Sequence, residues 1–156
     1  MDFDLHERYR ELCRRNGWRC THQRFAVYAF LQGNRTHPGV DEVWAAVRKE
    51  TPSITRESVF RILCEFAEKG IVMRLDALPS ARFDTDTRPH GHFICERCGK
   101  VFDFELPQGI DLRSPLKGAK VSGVELRFTG LCPRHAKKRD FVESESAKAT
   151  KKGKTK

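Results

Sequence analysis

The sequence predicts an α+β chain, with an N-terminal winged helix-turn-helix over residues 1–85 followed by a small α/β domain over residues 86–138 that carries zinc-type ligands. Three observations predict this. Apolar residues recur at helical spacing through the first eighty-odd positions, the pattern changes to period two after "DTDTRPH", and two Cys/His pairs lie in the second part. At 156 residues, 38% of them hydrophobic, the chain can bury the core of one ordinary domain or two small ones.

In chain order, "THQRFAVYAFLQG" predicts a helix with Thr21 as N-cap, Val27, Phe30 and Leu31 on its apolar face, and Gly33 as its stop. "HPGVDEVWAAVRKETP" places Val40, Val43, Trp44 and Val47 at i, i+3, i+4 and i+7, puts Asp41 and Glu42 in the first turn, and is closed by Pro52. "SITRESVFRILCEFAEKG" predicts a third helix capped by Thr55 and stopped by Gly70. Its buried stripe is Val59, Ile62, Leu63 and Phe66, and its outer face carries Arg56, Glu57, Phe60 and Arg61. "IVMRLD" and "ARFDTD", separated by "ALPS", predict a β-hairpin. Three helices and a hairpin are the order of a winged helix-turn-helix, whose last helix enters the major groove. Arg56 and Arg61 suit phosphate or guanine contacts; the alternative for this half is an unspecialised helical domain.

In the second part "HFICE" and "VFDFE" flank the turn "RCGK" as another hairpin, and "AKVSGVELRFTGLC" supplies a further strand. A short helix is expected in "PQGIDLRSPLKG", limited by Pro115. No internal repeat is present.

The net charge of +9 suggests nucleic acid, but it is unevenly distributed. Residues 1–85 hold 14 basic and 12 acidic side chains, residues 86–136 hold 8 and 6, and residues 137–156 hold 8 and 3. Residues 139–156 therefore read as a basic, disordered tail that either attracts phosphates weakly or only solubilises. No run of eighteen apolar residues argues for a membrane span, and "MDFDLHERYR" lacks the regions of a signal peptide, so a cytoplasmic protein is expected. In such a chain cysteines ligate metals more readily than they form disulfides. Cys13, Cys20 and Cys64 fall in helix-like stretches, away from the histidine-rich region.

Cys95 and Cys98 form a C-x2-C knuckle followed by Gly99, and after 33 intervening residues Cys132 and His135 form C-x2-H. Three thiolates and an imidazole suit closed, tetrahedral structural Zn(II), with a disulfide or free thiols as the alternative. His90 and His92 are spaced to share one face of a strand, and Asp103 and Asp84 can approach the same point. Such a nitrogen and oxygen set favours Fe(II) or Mn(II), although zinc binds such sites too. His37 is a further candidate, its alternative being an ordinary surface histidine.

Over roughly residues 5 to 138 the chain resembles the ferric uptake regulator superfamily. The matching stretches are "WRCTHQR", "HPGVDEVW", "SITRESVFRIL", "GIVMRL", "RFD", "HGHFICERCGKVFDF" and "LCPRH". The resemblance implies a homodimeric, metal-dependent transcription factor, with a winged helix that binds a double-stranded DNA operator and a C-terminal dimerisation domain. Within the superfamily the pattern is most similar to the peroxide-responsive repressors. That likeness implies a regulatory Fe(II) or Mn(II) held by His37, Asp84, His90, His92 and Asp103, with His37 and His90 sensitive to oxidation. Iron-sensing members usually carry a glutamate where this chain has Asp103, and zinc-sensing members usually recruit a cysteine. The resemblance also implies DNA contacts from Arg24, Arg56, Ser58, Phe60 and Arg61.

Four features depart from the family pattern. His135 stands where the second knuckle usually has a cysteine, and Phe60 stands where a tyrosine is usual. The dimerisation helix looks short, and the Lys-rich tail is additional.

Three other readings remain. One is an iron- or other metal-sensing regulator of the same superfamily. Another is a metalloenzyme built on His90, His92, Asp84 and Asp103, which would need a general base and a pocket. The last is a zinc-stabilised RNA or protein adaptor, which would leave the H-x-H and RFD residues without a role. The expectation is a regulator and not an enzyme.

Overall fold

The protein is described by a computed structural model, which covers residues 3–76, 80–109, 116–121 and 124–136. The expected helix near Pro115 falls largely, and the basic tail entirely, outside these residues.

Four helices open the chain: α1 (Phe3–Asn16), α2 (His22–Leu31), α3 (Val40–Val47) and α4 (Arg56–Glu68). The expected caps form, because Thr21 accepts from the Arg24 N–H and Thr55 from the Ser58 N–H. Gly33 and Gly70, at φ 71° and 66°, turn the chain after α2 and α4. The second expected helix ends at Val47, before Pro52 is reached.

Helix α1 was expected only as a helix-like stretch around Cys13, without bounds. It is rich in charge, yet Leu5, Tyr9, Leu12 and Cys13 form an inward stripe, and Asp4 and Arg14/Arg15 complement the helix dipole at its two ends. Cys20 lies in the connector between α1 and α2, not in a helix.

One apolar core, including Tyr9, Val27, Leu31, Val43, Val59, Leu63, Phe66 and Phe83, joins these helices to the wing. The wing is an antiparallel pair, β1 (Met73–Leu75) and β2 (Arg82–Asp84). The second part is a three-stranded sheet in the order β4 (Val101–Phe104), β3 (Gly91–Cys95), β5 (Leu126–Gly130), followed by a short helix α5 (Pro133–Ala136). β3 pairs antiparallel with β4 and parallel with β5.

Strand alternation gives this sheet two different faces. Phe93 lies opposite Phe102 and Phe128, with Phe104 two residues along β4, so aromatic rings line one face. His92 lies between Asp103 and Arg127 on the other. Among the described residues no helix is long and apolar enough to cross a membrane.

Candidate metal centres

The first cluster unites the two halves of the chain. His37 precedes α3, Asp84 ends β2, His90 and His92 flank Gly91 at the start of β3, and Asp103 sits on β4 opposite His92. Backbone pairing brings the first two together: the Phe83 N–H donates to the Pro38 carbonyl (3.1 Å), Gly39 bridges Arg82, and the Thr85 hydroxyl donates to the Asn34 carbonyl (2.8 Å). His37 has φ 51°, making it the one non-glycine residue with positive φ among those described. A left-handed residue directly before proline costs about 1–3 kcal/mol and persists only where its surroundings impose it.

All five side chains offer ligand atoms within 4.8 Å of one another. Asp84 Oδ2 lies 3.7 Å from His37 Nε2, 2.9 Å from His90 Nε2 and 3.2 Å from His92 Nε2. Asp103 Oδ1 lies 2.7, 3.7 and 3.8 Å from the same three nitrogens. Asp84 keeps Oδ2 turned inward because its Oδ1 accepts from the Asp86 N–H (2.9 Å). His90 Nδ1 donates to the Arg88 carbonyl (2.7 Å), which leaves Nε2 as the ring's bare lone pair.

The cluster is buried, with only the Asp103 side chain substantially exposed at 31%. Nε2 of His37 and of His90 is buried without a hydrogen bond, although carboxylate oxygens lie as close as 2.7 Å. Apart from the hydrogen bond between His92 Nε2 and Asp84 Oδ2 (3.2 Å), these lone pairs and carboxylates crowd together without hydrogen-bond alignment, and the residues therefore fit a shared metal ion. Two carboxylates also balance the charge of a divalent ion. Burial pushes the His37 imidazole pKa down, but the neighbouring carboxylates of Asp84 and Asp103 outweigh this and raise it. Asp84 is itself held well below the usual carboxylate range, its burial being outweighed by His37, His92 and the Asp86 N–H.

The second cluster is Cys95, Cys98, Cys132 and His135, also within 4.8 Å of one another. Cys95 ends β3, Cys98 sits in the turn closed by Gly99 (φ 65°), and Cys132 and His135 lie at the start of α5. His135 Nδ1 is 3.5 Å from Cys95 Sγ and 3.3 Å from Cys132 Sγ. The Cys132 N–H donates to Cys95 Sγ (3.4 Å), the first of several contacts that pull the Cys95 thiol down to about 5. A thiol already biased to thiolate beside an imidazole and two further thiols fits zinc. His135 therefore stands in the position that completes a Cys3His set.

The expected DNA-contacting residues are placed differently from one another. Arg56, Phe60 and Arg61 are exposed on α4. Arg56 pairs with exposed Asp41, and no ion pair engages Arg61 among the described residues. The Ser58 hydroxyl is hydrogen-bonded to that of Thr55 (2.9 Å). Arg24 departs from the expectation: its side chain is only 15% exposed, stacks on Trp18, and donates to Glu65 of α4 and to the Arg19 carbonyl. Its guanidinium is spent inside the domain, where it fastens α2 to α4. The signal for this, an Arg–Glu pair 41 residues apart, is not local in the sequence.

The family model described as the ferric uptake regulator family matches residues 15–128. The "Peroxide operon regulator" of Bacillus subtilis is 37% identical over 135 residues, covering 82% of this chain and 91% of that protein. The "Peroxide-responsive repressor PerR" of Staphylococcus aureus (strain USA300) is 38% identical over 109 residues, covering 69% and 73%. Among solved structures, the ferric uptake regulator Fur of Helicobacter pylori matches with a TM-score of 0.66 at 23% identity, covering 84% of this chain and 91% of that one. A zinc-bound manganese uptake regulator matches at 0.56 and 26% identity, covering 79% and 97%.

Proposed function

This chain belongs to the ferric uptake regulator family, and from that premise we propose that it is a metal-dependent, DNA-binding transcriptional repressor that senses peroxide. The observation that carries the reading is the buried cluster of three imidazoles and two carboxylates shared between the winged helix and the sheet. His37 and Asp84 act from one side and His90, His92 and Asp103 from the other. Their common ion is Fe(II) or Mn(II), and its binding favours the arrangement of the two halves that fits DNA. Ferrous iron, when bound, supplies the electron-transfer chemistry that activates peroxide beside its ligands, which manganese does not. The imidazoles of His37 and His90 are the targets of that oxidation, and their loss as ligands releases the DNA. Cys95, Cys98, Cys132 and His135 hold a structural Zn(II).

On the DNA side, residues 1–85 form the reading domain. Arg56 and Arg61 on α4 face double-stranded DNA; the Arg56–Asp41 pair is exposed and contributes little, so phosphate can replace Asp41. Phe60, 40% exposed, presents a ring in place of a hydroxyl, and Ser58 supports the start of the helix. Residues 86–138 form the dimerisation domain, and the exposed rings of Phe102 and Phe128 on the aromatic sheet face supply surface for a second copy. The protein acts in the cytoplasm as a regulator and catalyses no reaction on a substrate.

The test is to load zinc-replete protein with Fe(II) without oxygen, add a small excess of hydrogen peroxide, and map added oxygen by peptide mass spectrometry against an Mn(II) control. One added oxygen on the His37 or His90 peptide, with iron only, is expected. Unmodified histidines would replace this reading with a sensor that responds to metal occupancy alone.

A further inference from the structure

The winged-helix half holds three thiols that neither metal cluster uses, Cys13, Cys20 and Cys64, and the first two come together. Tyr9 and Cys13 are i,i+4 neighbours on the inner face of α1, and both are buried. After α1 the chain turns at Gly17 (φ 66°), and the Trp18 N–H donates back to the Cys13 carbonyl (2.9 Å). The connector therefore folds along α1, where the Tyr9 hydroxyl donates to the Thr21 carbonyl (3.3 Å). This lays Cys20 against the Tyr9–Cys13 face of α1, near enough for the two thiols to influence each other. Cys20 is exposed to solvent, whereas Cys13 is 1% exposed.

We propose that Cys20 and Cys13 form a second peroxide-modified site, in which the exposed thiol is oxidised and the buried one resolves it into an intramolecular disulfide. In the first step the Cys20 thiolate attacks one oxygen of hydrogen peroxide. The O–O bond breaks, hydroxide leaves and is protonated to water, and sulfur becomes a sulfenic acid. In the second, Cys13 gives up its proton and attacks that sulfur. The S–S bond forms as the S–O bond breaks, and the departing hydroxide takes up the proton as a second water. Two thiols are oxidised by two electrons, and one peroxide is reduced to two waters. Burial pushes the Cys13 thiol pKa up, which suits a group that waits protonated.

The disulfide has a route to α4. Arg24 donates to the Arg19 carbonyl (2.9 Å), stacks on Trp18 (5.0 Å) and pairs with Glu65 of α4. Drawing Cys20 onto Cys13 pulls the Arg19 carbonyl and the Thr21 cap on either side of it. The position of α4 is then biased through Arg24, a consequence that rests on the proposed role of α4 in reading DNA.

The experiment uses full-length protein loaded with zinc and Mn(II), which keeps iron-dependent histidine oxidation out. After hydrogen peroxide, free thiols are alkylated, the chain is cut with trypsin, and peptides are mapped with and without reductant. The expected product is the Glu11–Arg14 peptide joined to the Cys20–Arg24 peptide by a bond that reductant cleaves, absent in Cys20→Ser. Affinity for a duplex selected from a random library by the reduced protein should fall roughly tenfold on oxidation and recover on reduction, within the usual range of coupling between sites. Two alkylated thiols, a Cys20 sulfinic acid beside intact Cys13, or a link between two chains would each overturn the site. An intact link without loss of affinity would overturn its coupling to α4. If the reduced protein selects no duplex, the DNA-binding reading fails, while the peptide link still decides the site.

Discussion

The two metal clusters differ in what they join. Cys95, Cys98, Cys132 and His135 come from one sheet and the turn and short helix at its end, so an ion there fastens a small unit to itself. His37, Asp84, His90, His92 and Asp103 come from both halves, so an ion there fastens one unit to another. The ligand chemistry follows the same division. Thiolates suit a retained zinc, whereas imidazoles and carboxylates suit an ion that exchanges. On the proposed function, a zinc in the first would help a small sheet to fold, and an exchangeable ion in the second would suit a regulator.

The most severe challenge to this contrast is Cys132→Ser. Cys132 is 3% exposed, and its N–H donates to Cys95 Sγ, so the substitution removes a ligand and disturbs another. Structural zinc contributes about 10–16 kcal/mol to the folding of small domains, more than this sheet can replace from its partly exposed strands. Bound zinc measured by elemental analysis should be lost, the thermal transition of the second part should disappear, and Mn(II) binding should be lost with it. Zinc retained at one ion per chain with an unchanged transition would refute the assignment of the sulfur cluster.

An intermediate effect is expected from His37→Ala, which removes one ligand contributed by the winged-helix half and leaves the sheet untouched. Mn(II) affinity, followed by isothermal titration, should fall roughly 10–100-fold, the scale on which perturbed ligand shells weaken binding. Zinc content and the thermal transition of the sheet should stay as they are. The substitution keeps the β-carbon and with it the cost of φ 51° at this position, so metal-free protein should be no more stable than the parent. Simultaneous loss of both metals would show that the clusters are one cooperative unit and remove the contrast.

Much of this arrangement was legible in the sequence. The caps Thr21 and Thr55, the stops Gly33 and Gly70, and the stripes of the three expected helices are local signals, and each appears where its spacing places it. The residue types and spacing suggested the sulfur cluster and the group of His90, His92, Asp84 and Asp103, and the family resemblance added His37; the backbone contact that brings His37 in is not local in the sequence. What puts His37 beside Asp84 is the pairing of the Pro38 and Gly39 backbone with β2, a contact between segments distant in the chain. The bounds of helix α1 were obscured by its many charges, which leave only a short apolar stripe. Arg24 is a DNA contact by family resemblance alone, and only the packed structure shows Trp18 and Glu65 taking its guanidinium. Gly91 is another case. A Cβ there would lie 2.2 to 2.8 Å from atoms of the Phe104 ring, so glycine between the two histidines reflects the packing of the opposite sheet face.

The smallest effect is expected from His135→Cys, which sharpens the comparison instead of breaking it. His135 offers Nδ1 at 3.3 and 3.5 Å from two cysteine sulfurs, close enough for a ligand of either type to complete the set. Zinc accepts four thiolates as readily as three thiolates and an imidazole, and the backbone of α5 is already fixed by the His135 and Ala136 N–H groups donating to the Cys132 carbonyl. Zinc should therefore remain at one ion per chain, with Mn(II) affinity and the sheet's thermal transition unchanged. His135→Ala, made in parallel, should weaken zinc retention against a chelator. Weakening by alanine and rescue by cysteine together would establish that the position is a ligand and not a packing residue. An alanine variant that holds zinc as well as the parent would mean that a cluster of three thiolates suffices and that His135 stands beside the ion without binding it.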